Sequence, residues 1–263
     1  RKGTLDELPV GGDIEAIGLS FRYDGEYSPW VIRNLDFTIE RGVITRIIGP
    51  SGSGKTTLLN LLLGMFQPEE GILKLGGVSL ANIMEEVWLE HCGVVPQDGY
   101  IFHDTIARNI ALSGETIKSK RLLEAARIAN VLPFMERFRD GFNTIIGEGG
   151  VGLSKGQRQS ILIARAIYKN PDYLFLDEAT NDLDTESERI VFQNIQKAFE
   201  GKTIVLISSR MDLPIDTGPV IHMTAPNLRP REDAQGFAGV KGGNGDSNPT
   251  DFTAWVFPEK QEN

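Results

Sequence analysis

The sequence lacks several features that would place it in common classes of protein. A single cysteine, Cys92, excludes an internal disulfide and fits a reducing compartment. No apolar run approaches the about 20 residues that a membrane-spanning helix needs, and no signal-peptide pattern is present. The 27 basic residues are outnumbered by 36 acidic ones, and the net charge of −9 argues against a general nucleic-acid binder. Because the chain starts at Arg1 and not at Met, we expect it to be part of a longer protein.

Strand-like and helix-like segments alternate through most of the chain. Runs rich in Val, Ile and Leu alternate with segments whose apolar residues recur at helical spacing, which predicts an α/β fold with a parallel sheet. The strand-like segments are 14–48, 72–80, 173–176 and the opening of 203–213, which stops at Ser208, Ser209 and Arg210. The helix-like segments are 54–66, 104–140, 154–169 and 185–199. Beyond about residue 225 the sequence is rich in Gly, Pro, Asn and Asp, which indicates an irregular tail.

The segment GPSGSGKT (49–56) matches the phosphate-binding pattern G-x-x-x-x-G-K-[ST] between a predicted strand and a predicted helix. Glycines let the backbone turn tightly around an anion, and the amides at the helix start point toward phosphate. Lys55 adds a positive charge for the β- and γ-phosphates, and Thr56 offers a hydroxyl to Mg²⁺. The alternative is a flexible turn before an ordinary helix. The predicted nucleotide contacts are Gly49, Pro50, Ser51, Gly52, Ser53, Gly54, Lys55, Thr56 and Thr57.

A second motif, YLFLDEAT (173–180), places two carboxylates after a buried strand. Asp177 is suited to holding Mg²⁺ through water, and Glu178 to orienting or deprotonating an attacking water. The alternative is a helix N-terminus, where Asp and Glu are common as caps. Beside a matched phosphate loop, the catalytic interpretation is favoured.

The segment LSKGQRQ (153–159), lying between the phosphate loop and YLFLDEAT, resembles the LSGGQ signature of ABC transporter nucleotide-binding domains, with Lys155 in place of the first glycine. The resemblance covers about 14–215 and implies a P-loop NTPase (RecA-like) core with an antiparallel β-subdomain and an inserted helical subdomain. It also implies that two such domains pair head to tail around ATP and Mg²⁺. Ser154, Gly156 and Gln157 of one chain would then contact the nucleotide of the other, although Ser154 could also be a plain N-cap.

Other motifs fit the same family and suggest an exporter. Tyr23 falls where the family places an aromatic ring that stacks on adenine, with a core aromatic as the alternative. Gln97 matches the Q-loop, which contributes to the Mg²⁺ site together with Thr56 and Asp177. The segments IFHDTIARNI (101–110) and TIIGEGG (144–150) resemble exporter sequences, in which Glu148 would meet the membrane domain.

Two positions depart from the family pattern. The strand TIVLIS is followed by Ser209 where the family has a histidine that reaches the γ-phosphate and helps to align the water and Glu178. A serine hydroxyl is shorter and carries no imidazole charge. In NDLD (181–184) the usual form is SALD, so Asn181 and Asp182 are also unusual. With Lys55 and Glu178, Ser209 completes the predicted catalytic set.

The resemblance yields one leading hypothesis and two alternatives. The leading one is the ATPase domain of an exporter at the cytoplasmic face of a membrane, with a weak preference for peptide or protein cargo. Its partners would be a second ABC ATPase domain, identical or not, and a transmembrane domain, with no nucleic acid. The alternatives are a hydrolysis-impaired regulatory domain of an asymmetric pair, favoured by Ser209, and a soluble ABC ATPase of DNA repair or translation.

The predicted organisation follows from these motifs. Residues 1–13 are expected to be a linker from a membrane domain, with simple N-terminal disorder as a compatible interpretation. The ABC ATPase domain is assigned to 14–225, with its helical subdomain at about 98–170. Residues 226–263 form the tail, in which FTAWVF (252–257) fits either a short docked strand or irregular chain.

Overall fold

A computed structural model describes residues 3–9, 12–112, 116–215 and 218–224. The predictions for the tail from residue 226 onward, including a strand at 252–257, lie outside the described residues. The elements in chain order are β1 (Ile14–Phe21), β2 (Ile32–Ile39), β3 (Ile44–Ile48), α1 (Lys55–Leu62), β4 (Glu70–Leu75), β5 (Val78–Ser79), α2 (Glu85–Glu90), β6 (Cys92–Val95), β7 (Asp104–Thr105), α3 (Ile106–Ala111), α4 (Ser119–Ile128), α5 (Leu132–Met135), β8 (Ile145–Ile146), α6 (Lys155–Tyr168), β9 (Tyr173–Asp177), α7 (Thr185–Ala198), β10 (Thr203–Ser208) and β11 (Val220–His222).

A five-stranded parallel sheet in the order β11-β3-β10-β9-β6 forms the centre of the fold. Strands β9 and β10 are buried along their whole length, as expected for strands covered on both faces. The registers pair Ser208 with Ile48 and Ile207 with Asp177. The segments that follow β3, β9 and β10 therefore leave the sheet at the same edge, with that of β10 in the middle.

The two faces of the central sheet pack against two separate hydrophobic cores. Along β9, Leu174 and Leu176 belong to the core with α3, α4, α6 and α7, whereas Tyr173 and Phe175 belong to the core that contains α1 and the second sheet. This alternation is the two-residue period of a strand. Each fully buried side chain of this size contributes about 1.5–3 kcal/mol of transfer free energy, so packing on both faces stabilises the central sheet.

A four-stranded antiparallel sheet, ordered β2-β1-β4-β5, covers the α1 side of the fold. The predicted hairpin at 72–80 is present as β4 and β5, and the strands predicted within 14–48 are β1, β2 and β3. The fold class inferred from the sequence is therefore confirmed.

The helical segments differ from the predictions mainly at their ends. The helix predicted at 54–66 ends at Leu62, because Gly64 (φ 76°) turns the chain into the left-handed region after the last turn. The segment predicted to be helical from residue 104 begins instead with β7, which pairs with β8 far along the chain. A long-range strand partner of this kind leaves no local signal in the sequence. No helix in the described part of the chain has the length and apolar character to cross a membrane.

Candidate active site

The phosphate loop connects β3 to α1, as the motif requires, and its backbone geometry depends on glycine. Gly54 has φ of 90° directly before the helix, a conformation that side-chain-bearing residues rarely adopt. A Cβ on Gly49 would lie 2.4 Å from the carbonyl oxygen of Met223 on the neighbouring β11 segment. Pro50 and Ser51 are exposed at the tip, and the hydroxyl of buried Ser53 has no partner among the described residues. The loop is thus a tight, glycine-dependent turn that leads directly into the N-terminus of α1, where backbone amides favour an anion.

Lys55 folds back over this loop. Its side chain is 7% exposed, and its Nζ donates hydrogen bonds to the carbonyl oxygens of Gly49 at 2.8 Å and Pro50 at 3.0 Å. The same Nζ lies 3.9 Å from Oε1 of Glu178. Its hydrogen bonds within the described chain go to carbonyls of its own loop, and it can exchange them for phosphate oxygens, which are stronger, charged acceptors.

Asp177 and Thr56 meet at the end of β9. The Thr56 hydroxyl donates to Oδ2 of Asp177 at 2.9 Å, whereas Oδ1 is buried without a partner among the described residues. Burial raises the pKa of Asp177, and the hydrogen bond from Thr56 opposes that change. A hydroxyl beside a buried, half-satisfied carboxylate is a donor set that suits Mg²⁺, which prefers oxygen ligands. These residues fit the metal that the sequence predicts.

Gln97 follows β6, the strand that pairs with β9 through Val95 and Leu176. It therefore leaves the sheet at the same edge as Asp177. Its side chain is exposed and makes no hydrogen bond within the described chain. The fold brings Gln97 to the correct edge, but a role as a metal ligand stays a prediction.

Glu178 occupies a strained position directly after β9, with φ of 49°. Such left-handed conformations in residues other than glycine cost free energy and cluster at functional sites. Its Oε1 accepts a hydrogen bond from the backbone N–H of Ser209 at 2.8 Å, and its Oε2 accepts one from Nδ2 of Asn181 at 2.8 Å. The Ser208 hydroxyl lies at the limit of hydrogen bonding to Oε2, at 3.5 Å. The carboxylate is thus held on the side of the phosphate loop.

Ser209 acts here through its backbone. Its residue is exposed, and its hydroxyl makes no hydrogen bond to any residue in the described ranges, whereas its N–H binds Glu178. Because β10 lies between β3 and β9 in the sheet, this N–H lies between the phosphate loop and Glu178. The structure places Ser209 beside Glu178, but the hydrogen bond does not involve the side chain that differs from the family's histidine, and a catalytic role for Ser209 stays a prediction.

Tyr23 lies beyond the end of β1 and is 53% exposed, so the alternative that it is a buried strand aromatic is wrong. Its hydroxyl is 2.8 Å from that of Thr57, the residue that follows Thr56 in α1. Its ring meets Phe66 edge-on, with 5.6 Å between the ring centroids. This contact fixes the tyrosine above the start of α1 and leaves much of it exposed, as a ring that stacks on a base would be.

The signature segment starts α6. The Ser154 hydroxyl caps the helix by accepting from the backbone N–H of Gln157, and the Gln157 side chain accepts from the N–H of Ser154. A Cβ on Gly156 would lie 2.9 Å from the carbonyl oxygen of Asp182. Within the described ranges, the signature segment therefore contacts its own first helical turn and the backbone at Asp182. It lies at the surface and, among the described residues, makes no hydrogen bond to this chain's own phosphate loop.

The two segments that the sequence analysis associates with exporters lie side by side. Asp104 and Thr105 of the first pair with Ile146 and Ile145 of the second, and Glu148 extends beyond this pairing as an exposed residue. The aromatic rings of Tyr100 and Phe102 are exposed in the segment that leads into this pairing. The two motifs thus form one surface feature of the helical region.

A family model described as ABC transporter matches residues 32–181, which is more than half of the chain. The chain belongs to the ABC transporter family. Curated relatives named leukotoxin translocation ATP-binding protein LktB, from Mannheimia glucosida and Mannheimia haemolytica, are each 41% identical over 223 residues. Each alignment covers 84% of this chain and 31% of the relative, so the chain spans about a third of their length.

A solved structure of a bacterial Atm1-family ABC exporter with ATP bound matches 85% of this chain and 39% of that chain, with a TM-score of 0.78 and 29% identity. Together with the relatives, it identifies the chain as an ABC ATPase domain of the exporter type. The family resemblance inferred from the sequence is confirmed.

Two residues of this ABC domain matter to the site but were not selected from the sequence. Asn181, noted only as a departure from SALD, binds Glu178. Glu188 on α7, in the segment 185–199 that was predicted only to be helical, is 3% exposed and binds both Thr180 and Arg210. The unusual residue at 181 was the available signal for the first, and no local pattern marks the second.

Proposed function

We propose that this chain is the ATP-hydrolysing motor domain of an exporter. The observation that carries the proposal is that four side chains meet at one edge of the central sheet, namely those of Lys55, Thr56, Asp177 and Glu178. The buried carboxylate of Asp177 has one oxygen without a partner among the described residues and is suited to Mg²⁺. The carboxylate of Glu178 is held by a hydrogen bond and is suited to orienting water. The ATP-bound exporter of similar structure supports ATP as the nucleotide.

In the proposed reaction, water attacks the γ-phosphorus, the bond to the bridging oxygen breaks, and ADP leaves. Glu178 accepts the proton of the attacking water, while Lys55 and the loop amides hold the phosphate oxygens. Mg²⁺, held by Thr56 and Asp177 with Gln97 nearby, would neutralise the charge of the phosphates. Tyr23 would stack on the adenine. Each of these roles relies on positioning and charge, which dominate phosphoryl transfer.

We further propose that the chain works as a pair, with Ser154, Gly156 and Gln157 of one copy closing over the nucleotide of the other. The exposed position of the signature supports this arrangement, as do the N–H groups of Lys155 and Gly156, which lie outside the Ser154–Gln157 capping box and have no partner among the described residues. The surface of Tyr100, Phe102 and the β7–β8 pair would meet a transmembrane domain, and the chain would then work at the cytoplasmic face of a membrane. Relatives named for leukotoxin translocation favour a protein cargo.

A regulatory domain with impaired hydrolysis is the second candidate. The observation that favours it is that Ser209 is exposed and that its hydroxyl makes no hydrogen bond to Glu178 within the described chain. Loss of one group that stabilises transition-state charge commonly costs about 10²–10³ in rate. A soluble ABC ATPase of DNA repair or translation receives no support, because the similar proteins quoted above are translocation proteins and an exporter.

The deciding experiment measures phosphate release from the purified chain with ATP and Mg²⁺. Glu178→Gln removes the proton acceptor, and Glu186→Gln makes the same change on the exposed surface of α7 as a control. We expect turnover in the wild type and in the control, and none above background in Glu178→Gln. Equal background release in all three would reject the motor and favour the regulatory domain.

Pairing is tested separately by light scattering on Glu178→Gln with ATP and Mg²⁺, because this variant would hold the closed state. A doubling of the molar mass that requires ATP is expected. A monomer at high micromolar concentration, with ATP shown to be bound, would argue against pairing of identical chains.

A further inference from the structure

The carboxylate of Glu178 is held from two sides by segments that are distant in sequence. Oε1 receives the backbone N–H of Ser209, and Oε2 receives Nδ2 of Asn181, each at 2.8 Å. Both distances lie within the range of well-formed hydrogen bonds to a charged acceptor. With one donor on each oxygen, the plane of the carboxylate is fixed and not merely its position.

Asn181 is the stronger of the two side-chain donors to this carboxylate. The other, the Ser208 hydroxyl, is 3.5 Å from Oε2 and also accepts a hydrogen bond from the N–H of Arg210 at 3.0 Å. The ammonium group of Lys55, at 3.9 Å, is beyond hydrogen-bond distance and is directed to the phosphate loop. Removal of Asn181 would therefore leave Oε2 without a short hydrogen bond from any described residue.

An ion pair between buried Glu188 on α7 and half-buried Arg210 fixes both donors that clamp the Glu178 carboxylate. Glu188 accepts from the Thr180 hydroxyl at 2.7 Å and from Nη1 and Nη2 of Arg210 at 2.9 and 3.2 Å. Thr180 directly precedes Asn181, and Arg210 directly follows Ser209. The ion pair with Arg210 is bidentate, which makes it directional as well as strong. Both donors to Glu178 are therefore anchored to the same helix, so the clamp does not depend on flexible side chains alone.

We propose that Asn181 is a positioning residue for ATP hydrolysis, which orients the Glu178 carboxylate toward the attacking water. The inference rests on the proposed hydrolytic function. Its physical basis is that Ser209 contributes only a backbone N–H, so the second restraint on the carboxylate has to come from another segment. Misplacement of a catalytic group by about 1 Å can reduce the rate about 10²-fold, which gives such a restraint a measurable effect.

The test compares steady-state phosphate release by the purified chain carrying Asn181→Ala, Asn181→Asp or Asn181→Gln. Asparagine 181 is exposed, so folding should survive these changes, and thermal unfolding verifies it. Asn194→Ala is the matched control, because the Asn194 amide donates to backbone carbonyls of Arg127 and Ile128, away from the phosphate loop.

We expect Asn181→Ala to lower kcat about 10–100-fold, with KM for ATP changed less than about twofold, because the nucleotide contacts are intact. Asn181→Asp keeps the shape of asparagine but has no N–H to donate and places a second negative charge beside Glu178. Its kcat should therefore be lower than that of Asn181→Ala. Asn181→Gln keeps the donor and should recover part of the activity. A residue that only shapes the loop would instead make aspartate milder than alanine and would leave glutamine without benefit.

The outcomes separate the two proposals. In one outcome, the wild type and Asn181→Ala release phosphate equally fast, and both faster than Glu178→Gln. That result would overturn the role of Asn181 and leave the hydrolytic function standing. Wild-type release no higher than that of Glu178→Gln would overturn the hydrolytic function, and the role of Asn181 with it. A parallel loss of kcat in Asn194→Ala would also overturn the inference, because the effect would not be specific to Glu178.

Discussion

Replacement of Asp177 by asparagine should stabilise the nucleotide-free protein and at the same time remove its response to Mg²⁺. Asp177 is 1% exposed, and one of its oxygens accepts a hydrogen bond from the Thr56 hydroxyl at 2.9 Å, whereas the other has no partner among the described residues. Burial raises the pKa of this carboxyl group, so the folded state disfavours the charge. Asparagine has the same shape, accepts the same hydrogen bond and is neutral.

The size of the effect follows from the unpaired oxygen. A buried group without a partner costs about 1–3 kcal/mol, and more when it is charged. The asparagine amide would also lack one hydrogen-bond partner at this position, so we expect the free energy of unfolding to rise by an amount near the lower end of that range, about 1 kcal/mol. For a protein of this size, that gain corresponds to a rise of about 2–4 °C in the unfolding midpoint.

The assay is thermal unfolding of the chain in EDTA, with ATP and EDTA, and with ATP and Mg²⁺. For the wild type, Mg²⁺ should add stabilisation beyond that of ATP alone, by the mass action of a ligand that binds the folded state. For Asp177→Asn this increment should disappear. Asp172→Asn is the control, since Asp172 precedes the same strand at its other end and pairs with His91 on the surface.

Two results would refute the reasoning. A nucleotide-free Asp177→Asn protein that unfolds well below the wild type would mean that the carboxylate is a structural partner of Lys55 and Thr56. An unchanged Mg²⁺ increment in that variant would mean that the metal is held elsewhere.

Three further predictions concern neighbouring groups. Lys55→Ala should weaken ATP binding about 10–100-fold in calorimetry, since a hydrogen bond to a charged group contributes about 1.5–3 kcal/mol, and an affinity within twofold of the wild type would contradict the role of Lys55. Arg210→Ala should lower the free energy of unfolding in urea by about 2–3 kcal/mol, because it leaves buried Glu188 without its ion-pair partner. The loss should be smaller than for a fully buried pair, because Arg210 is 38% exposed. The control Arg189→Ala breaks an exposed pair and should lower the free energy of unfolding much less than Arg210→Ala, so equal losses would refute the importance of burial. Ser209→His should raise kcat at least about tenfold if the absent imidazole limits the rate, and an unchanged kcat would show that the clamp on Glu178 suffices.

Sequence reasoning succeeded where the chemistry is contained in a contiguous segment. The phosphate loop, its lysine and the helix that follows are neighbours along the chain, so the spacing of Gly49, Gly54 and Lys55 fixes their geometry wherever the loop lies. The buried strands before Asp177 and Ser209 were recognisable for the same reason, since a run of Val, Ile and Leu is a local signal.

The tertiary structure decided which of these segments meet and through which atoms. Only the strand order places the end of β10 between the phosphate loop and Glu178, and only the resulting contacts show that Ser209 binds through its N–H while Asn181 supplies the side-chain donor. Glu188 joins both loops from a helix whose sequence resembles any amphipathic surface helix. Hydrogen bonds between distant segments depend on sheet order and backbone direction, which are properties of the whole fold and leave no periodic trace in the sequence.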